Sequence, residues 1–241
     1  MVNPKRSSTR TLSNVPKHVA LIPDGNRRWS NKNRLALFSG YQMGVKKFID
    51  FSIWAKSFGV KTLTVWALST ENVKARSNLE LNALYKLYVQ AATDPKILAD
   101  LKANNARIRV IGNMYLVPTK VKDALLSLEK KTKMYKEFTI NLLIGYGGRD
   151  DLLYAVRDIR SERAKNRITE SMVGEHIRTS SVPNVDLLIR TSGEQRLSGF
   201  LPWQTSYSEL YFAKKYWPDF KKSDLRKALV EFSERQRRYG K

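Results

Sequence analysis

The chain has 241 residues, a formal net charge of +22 and no cysteine, which excludes a disulfide framework, a thiolate nucleophile and a cysteine-bound zinc. With 42% hydrophobic and 10% aromatic residues it is no disordered chain, and its length suits one large domain. Only His18 and His176 could serve a Ser–His–Asp triad, and a histidine-rich metal site is excluded.

Residues 1–17 are polar and basic and lack the apolar centre of a secretory signal; they are expected to form a flexible tail before a domain over 18–241. No apolar run approaches the ~20 residues of a membrane span. The first β-rich run is HVALI at 18–22. A helical face follows, with Val45, Phe48, Ile49 and Ile53 on one side and Trp54 and Phe58 widening it. TLTVWAL at 62–68 is the next strand, and Leu79, Leu81, Leu84, Leu87 and Tyr88 predict a second helix. A strand at 106–112 precedes a helix carrying Val121, Leu125, Leu126 and Leu128. FTINLLI at 138–144 is a strand, and 152–159 a helix. VDLLIR at 185–190 and ELYFA at 209–213 are the last strands, before an amphipathic helix over 225–238. INLLI and VDLLI are almost continuously apolar, the habit of parallel strands covered on both faces. The alternation reads as an α/β domain, a six-stranded, mostly parallel sheet surrounded by helices. Ligands of such sheets sit at the carboxyl ends of the strands.

After the first strand comes PDGNRRW, with Asp24, Gly25, Asn26, Arg27, Arg28 and Trp29. Glycine lets backbone N–H groups approach an anion, and paired arginines offer forked donors to phosphate oxygens. A carboxylate among cations makes sense if it holds Mg²⁺, which uses one or two carboxylates plus substrate phosphates; an Asp-Gly turn with solvated arginines is the alternative. After the second strand come Ser69, Thr70, Glu71 and Asn72, which also fit an ordinary helix cap. After the fifth come Arg190, Arg196 and Ser198, a second anion-binding candidate. Two arginine-bearing strand ends suggest two phosphorylated substrates, and no P-loop is present.

Together, HVALIPDGNRRW, ALSTEN, LIGYGGRDD, VDLLIRTSGEQRLSGFLPWQTSYSELYF and WPDF closely resemble the cis-prenyltransferase family of the undecaprenyl diphosphate synthase type, over about residues 18–240. The resemblance implies an Mg²⁺-dependent homodimer with an apolar tunnel. Such an enzyme would join an allylic diphosphate to isopentenyl diphosphate, form a cis double bond and release diphosphate. Asp24 and Glu209 would hold the metal. Gly25, Asn26, Arg28 and Trp29 would line the allylic site, and Arg190, Arg196 and Ser198, beside Leu197, the isopentenyl site. Ser69, Glu71 and Asn72 would lie between them, with Asn72 as the candidate for proton removal. Arg238 would complete the partner subunit's site.

The allylic site departs from the family pattern. Arg27 stands where a glycine is usual, Leu37 for an arginine, Tyr41 for a histidine, Val73 for a tryptophan and Ala75 within the usual Asn-Arg-Pro stretch. Arg27, Arg34 and Arg76 are candidates to restore the charge. Altered acceptor choice is therefore the alternative expectation: water, an alcohol or a second allylic diphosphate. A non-catalytic subunit is a further alternative, opposed by the presence of Asp24 and Glu209. Phe138, with Ile144, would set a short or medium product at the tunnel floor. The +22 charge also fits nucleic acid, but no nucleic-acid motif accompanies it. Lipid products favour a cytoplasmic enzyme with peripheral contact to an anionic membrane surface.

Overall fold

The computed structural model describes residues 14–161 and 167–235. Its strands are β1 (His18–Ile22), β2 (Thr62–Ser69), β3 (Ala106–Ile111), β4 (Phe138–Tyr146), β5 (Leu187–Arg190) and β6 (Glu209–Phe212). Among the described residues they form one six-stranded sheet in the order β3-β4-β2-β1-β5-β6, with every pairing parallel. The expected runs match these strands to within two residues. β1 is buried throughout because it sits mid-sheet under helices on both faces, whereas β3 at one edge alternates and keeps Arg107 and Arg109 half-buried.

Helices α1 (Asn26–Lys32) and α2 (Leu37–Ser57) join β1 to β2. α3 (Thr70–Ala75), α4 (Asn78–Thr93) and α5 (Pro95–Ala103) lead to β3, and α6 (Thr119–Thr132) leads to β4. α7 (Gly148–Ser161) and α8 (Glu170–His176) precede β5, and α9 (Lys222–Glu234) follows β6. Local chemistry marks several boundaries. Ser77 accepts from the Glu80 N–H at 3.3 Å and Asp94 from the Lys96 N–H at 2.8 Å, with Pro95 opening α5. Gly59 stops α2 with a left-handed φ of 97°, its N–H on the Lys56 carbonyl. α1, α5 and α8 went unpredicted: α1 has one large apolar residue, Trp29, and α5 is only nine residues long, although Ile97, Leu98 and Leu101 keep helical spacing after its Asp-Pro start.

Successive β1 residues face opposite sides of the sheet. Val19 and Leu21 pack with Phe51, Leu84, Trp217 and Phe220, while Ala20 and Ile22 pack with Leu143, Leu188 and Phe200. The helical faces differ from expectation in detail. Phe51 and Ala55 are the α2 residues packed solid, whereas Val45, Phe48, Ile49 and Ile53 line a cavity. Leu79 is 83% exposed and Leu126 is 39% exposed, each off the buried stripe of its helix (Leu81, Leu84 and Leu87; Val121, Leu125 and Leu128).

The expected tail lies mostly outside the described residues. Within them, Val15 already packs against the core and the Lys17 carbonyl accepts from the N–H groups of Lys61 and Thr62. The expected helix over 225–238 begins earlier, at Lys222, and α9 ends at Glu234; Arg238 lies outside the described residues.

His18 is a structural residue. Its Nε2 lies 2.8 Å from Thr64 Oγ1 and its Nδ1 3.0 Å from the Pro183 carbonyl. Burial pushes its pKa down to about 4 against hydrogen bonds to Asn184 and Pro183 that raise it. It opens β1, at the end of the sheet opposite the strand carboxyl ends. His176 sits over its own helix, with Nδ1 2.7 Å from the Met172 carbonyl. His18 carries no triad, since its Nδ1 faces carbonyls rather than a carboxylate.

Candidate functional site

Strand order reverses beside β1: the chain leaves β1 toward β2 on one side and returns, after β4, to β5 on the other. The carboxyl ends of β1 and β5 flank the resulting crevice, the usual ligand position in such sheets. Asp24 follows β1 and Arg190 ends β5. Asp24 Oδ2 accepts from Arg190 Nη2 at 2.9 Å, and Oδ1 lies 3.3 Å from Arg28 Nη2. The Asp24 carbonyl accepts from Thr191 Oγ1 and from the Trp217 N–H, which pins the loop.

Gly25 turns the chain into α1 with a φ of 100°, and a Cβ there would lie 2.7 Å from Tyr216 Cδ1. No other residue fits without displacing that ring. Asn26 donates to the Pro23 carbonyl, and its buried Oδ1 has no hydrogen-bond partner.

Arg190 is buried, and its Nη1 donates to the Arg196 carbonyl and to Ser198 Oγ at 2.9 Å. Its Nε is buried without a hydrogen-bond partner. Glu194 accepts from Arg28 at 2.7 Å on one oxygen and from Arg196 at 2.5 Å on the other. Those bonds, Arg28's first, hold the Glu194 carboxyl below its ordinary pKa. Ser192 and Ser198 both take left-handed backbone, with φ of 83° and 53°, a cost of roughly 1–3 kcal/mol each that functional loops commonly store. Three guanidinium groups thus converge on two carboxylates around one crevice.

A second cluster lies beside it. The Tyr41 hydroxyl donates to Glu80 Oε1, Arg76 Nε pairs with the same carboxylate at 3.1 Å, and Arg27 approaches its other oxygen at 3.7 Å. The Arg76 guanidinium lies 5.5 Å from the Tyr41 ring centroid. Burial keeps the Tyr41 hydroxyl protonated well above its ordinary range; Arg76 opposes this and Glu80 supports it. Arg27 and Arg76 therefore supply the charge here, while Arg34 is exposed and not part of the cluster. Glu80 escaped sequence reading, although its place at the third position of a helix capped by Ser77 was a visible signal.

Both clusters open on one cavity of about 1290 Å³. Its polar end holds Asp24, Arg28, Glu71, Asn72, Arg76 and Arg190. Its apolar length runs down the sheet from Ile144, near the end of β4, to Phe138, at its start, beneath Val45, Phe48 and Ile49 of α2.

Several expected residues stand elsewhere. Ser69 caps α3 by accepting from the Asn72 N–H at 2.9 Å, and it also lines the cavity. Thr70 is buried against Gly147. Val73 and Leu37 rest on the core beside the cavity rather than lining it. Ala75 is exposed, and Leu197 packs on the opposite sheet face. Trp29 donates to Asp219 Oδ1 at 2.8 Å instead of lining the cavity. Glu209 opens β6, at the end of the sheet away from Asp24, and pairs with Arg235 at 2.8 Å. One chain therefore does not bring Asp24 and Glu209 together.

The arrangement can bind anions at the crevice, hold an apolar chain behind them and shield it from water. Residues 22–240 match the family described as "Putative undecaprenyl diphosphate synthase". The chain is 37% identical over 231 residues to a tritrans,polycis-undecaprenyl-diphosphate synthase (geranylgeranyl-diphosphate specific) of Sulfurisphaera tokodaii, covering 93% of this chain and 88% of that one. It is 41% identical over 229 residues to an isoprenyl transferase of Thermotoga maritima, covering 94% and 97%. The fold superposes on a crystal structure of lavandulyl diphosphate synthase from Lavandula x intermedia in complex with dimethylallyl diphosphate. That match has a TM-score of 0.89 and 34% identity, over 94% of this chain and 99% of the other.

Proposed function

The chain belongs to the undecaprenyl diphosphate synthase family of cis-prenyltransferases, and we propose that it transfers an allylic group to isopentenyl diphosphate with a new cis double bond, building products of short or medium length. The observation that carries this is the Asp24–Arg190–Arg28 cluster at the mouth of the apolar cavity. Ionising an allylic diphosphate places charge on the leaving group, and fixed guanidinium groups stabilise it without proton transfer. The nucleophile is a neutral double bond, so no activated serine or cysteine is needed. Holding both substrates along one cavity supplies the alignment. Asn72, lining the polar end, is the candidate to receive the proton lost as the double bond forms.

The donor set fits Mg²⁺. The Asp24 carboxylate is 28% exposed and keeps free lone pairs beside its two arginines. No cluster of three acidic or histidine ligands exists among the described residues, so Asp24 would hold the ion with diphosphate and water supplying the remaining ligands. Held there, the ion would supply positive charge to the developing diphosphate anion. Glu209 would join such a site only through a second chain, as in the homodimer that the family resemblance implies. No helix among the described residues is long and apolar enough to cross a membrane. The net charge of +22 favours peripheral contact with anionic lipid from the cytoplasmic side.

The Tyr41–Glu80–Arg76 cluster and the likeness to lavandulyl diphosphate synthase favour one second reading, in which a second allylic diphosphate is the acceptor. Incubation with labelled isopentenyl diphosphate, dimethylallyl, farnesyl or geranylgeranyl diphosphate and Mg²⁺, followed by mass analysis, tests both. Products extended by five-carbon units that require isopentenyl diphosphate support the first. A ten-carbon product from dimethylallyl diphosphate alone supports the second.

A further inference from the structure

The far end of the cavity is built unlike the rest. Ile49, Ser52, Ile53 and Lys56 of α2 line it at helical spacing, and Ile97, Asp100, Leu101 and Asn104 line it from α5 and its cap. The two stripes meet at their last members, where Lys56 Nζ donates to the Asn104 carbonyl. The same ammonium pairs with Glu137 Oε2 at 3.1 Å, and Glu137 Oε1 accepts from Asn105 Nδ2. Glu137 immediately precedes Phe138, which points inward as part of the cavity wall.

Lys56, Asp100 and Asn104, with Ser52 beside them, put polar groups into a largely apolar wall and mark a place where the cavity meets water. Ile53 is 43% exposed there, although it also lines the interior. The lysine stem crosses the gap while its ammonium is held by the Asn104 carbonyl and Glu137.

We propose that the cavity has a second mouth between the ends of α2 and α5, barred by Lys56, and that this bar limits product length. The proposal rests on the prenyl-transfer reading. An apolar chain growing past Phe138 meets the lysine stem, and to leave it must displace the ammonium from Asn104 and Glu137. An ion pair this exposed is weak, so the bar is displaceable and sets a distribution of lengths rather than one length.

Product length is read after incubation with an allylic diphosphate, labelled isopentenyl diphosphate and Mg²⁺, comparing Lys56→Ala with the unmodified enzyme at equal isopentenyl incorporation. The expected result is a distribution longer by one or more five-carbon units in Lys56→Ala. An unchanged distribution in a variant whose thermal unfolding is also unchanged overturns the proposal. A second measurement needs no turnover. The chain has no cysteine, so Ile53→Cys carries a single thiol. Undecaprenyl diphosphate is expected to slow its labelling by a maleimide severalfold, and dimethylallyl diphosphate to leave it unaffected. Equal labelling with both overturns the second mouth even if the enzyme transfers no prenyl group, and that inactivity would count against the prenyl-transfer reading alone.

Discussion

Asp24 Oδ2 and Arg190 Nη2 lie 2.9 Å apart, joining residues 166 apart in the chain across the neighbouring carboxyl ends of β1 and β5. The bond spans the one place in the sheet where successive connections diverge, so the carboxylate and the guanidinium face the same crevice. Asp24→Ala should reduce turnover by roughly 10²–10³ or more, the common cost of removing one preorganised electrostatic group. Arg190 then loses its carboxylate, and a destabilisation of about 1–3 kcal/mol should accompany the change. Steady-state rates and thermal unfolding check the two effects. Near-normal turnover would remove Asp24 from the site.

Glu80 is buried and holds Tyr41, Arg76 and Arg27 around one carboxylate. Glu80→Gln keeps the shape but releases the arginines. The expected outcome is a raised KM for the allylic diphosphate, by about tenfold for each 1.4 kcal/mol of lost binding, with the isopentenyl KM little changed. Tyr41→Phe should give a smaller shift of the same kind, since the hydroxyl orients Glu80 without contributing charge. A rise confined to the isopentenyl KM would contradict the assignment of this cluster to the allylic side.

Phe138 is 2% exposed at the lower end of the cavity wall. Phe138→Leu should deepen the cavity and lengthen products, while costing stability below the roughly 3–5 kcal/mol of a full truncation to alanine. Chromatography of the products decides it, and an unchanged length distribution in a folded Phe138→Leu protein would contradict a role for this ring.

His18 titrates near pH 4 in the folded chain against an ordinary 6.5. The unfolded chain therefore binds a proton first as the pH falls. Stability from this group is complete above about pH 6.5, declines between 6.5 and 4, and levels off below. The total is roughly 3 kcal/mol at 1.36 kcal/mol per unit. Urea unfolding across this range should show the decline, and His18→Gln should flatten it. An identical slope in that variant would assign the decline to the carboxylates instead.

The strands, their mostly parallel direction and the two arginine-bearing strand ends were legible because each leaves a local mark in the sequence. A covered strand must be apolar along its whole length, and HVALIPDGNRR carries its turn and charge in consecutive residues. Asp24, Arg28, Arg190 and Ser198 could be chosen from one dimension for that reason. Position in space could not be read the same way. Val45, Phe48 and Ile49 have the periodicity of a core face yet line a cavity, because the 3.6-residue repeat reports which side is apolar and not whether that side is filled. Glu80 looked like an ordinary residue in the first turn of a helix; only the crossing of α2 and α4 makes it the shared partner of Tyr41, Arg76 and Arg27. Glu209 matched a motif, but strand direction carries it to the end of the sheet away from Asp24. The amino-acid sequence by itself determined which segments are strands and which strand ends carry arginines. Tertiary structure decided which of those groups share a site, because hydrogen bonds and ion pairs act over a few ångströms and depend on where the chain returns.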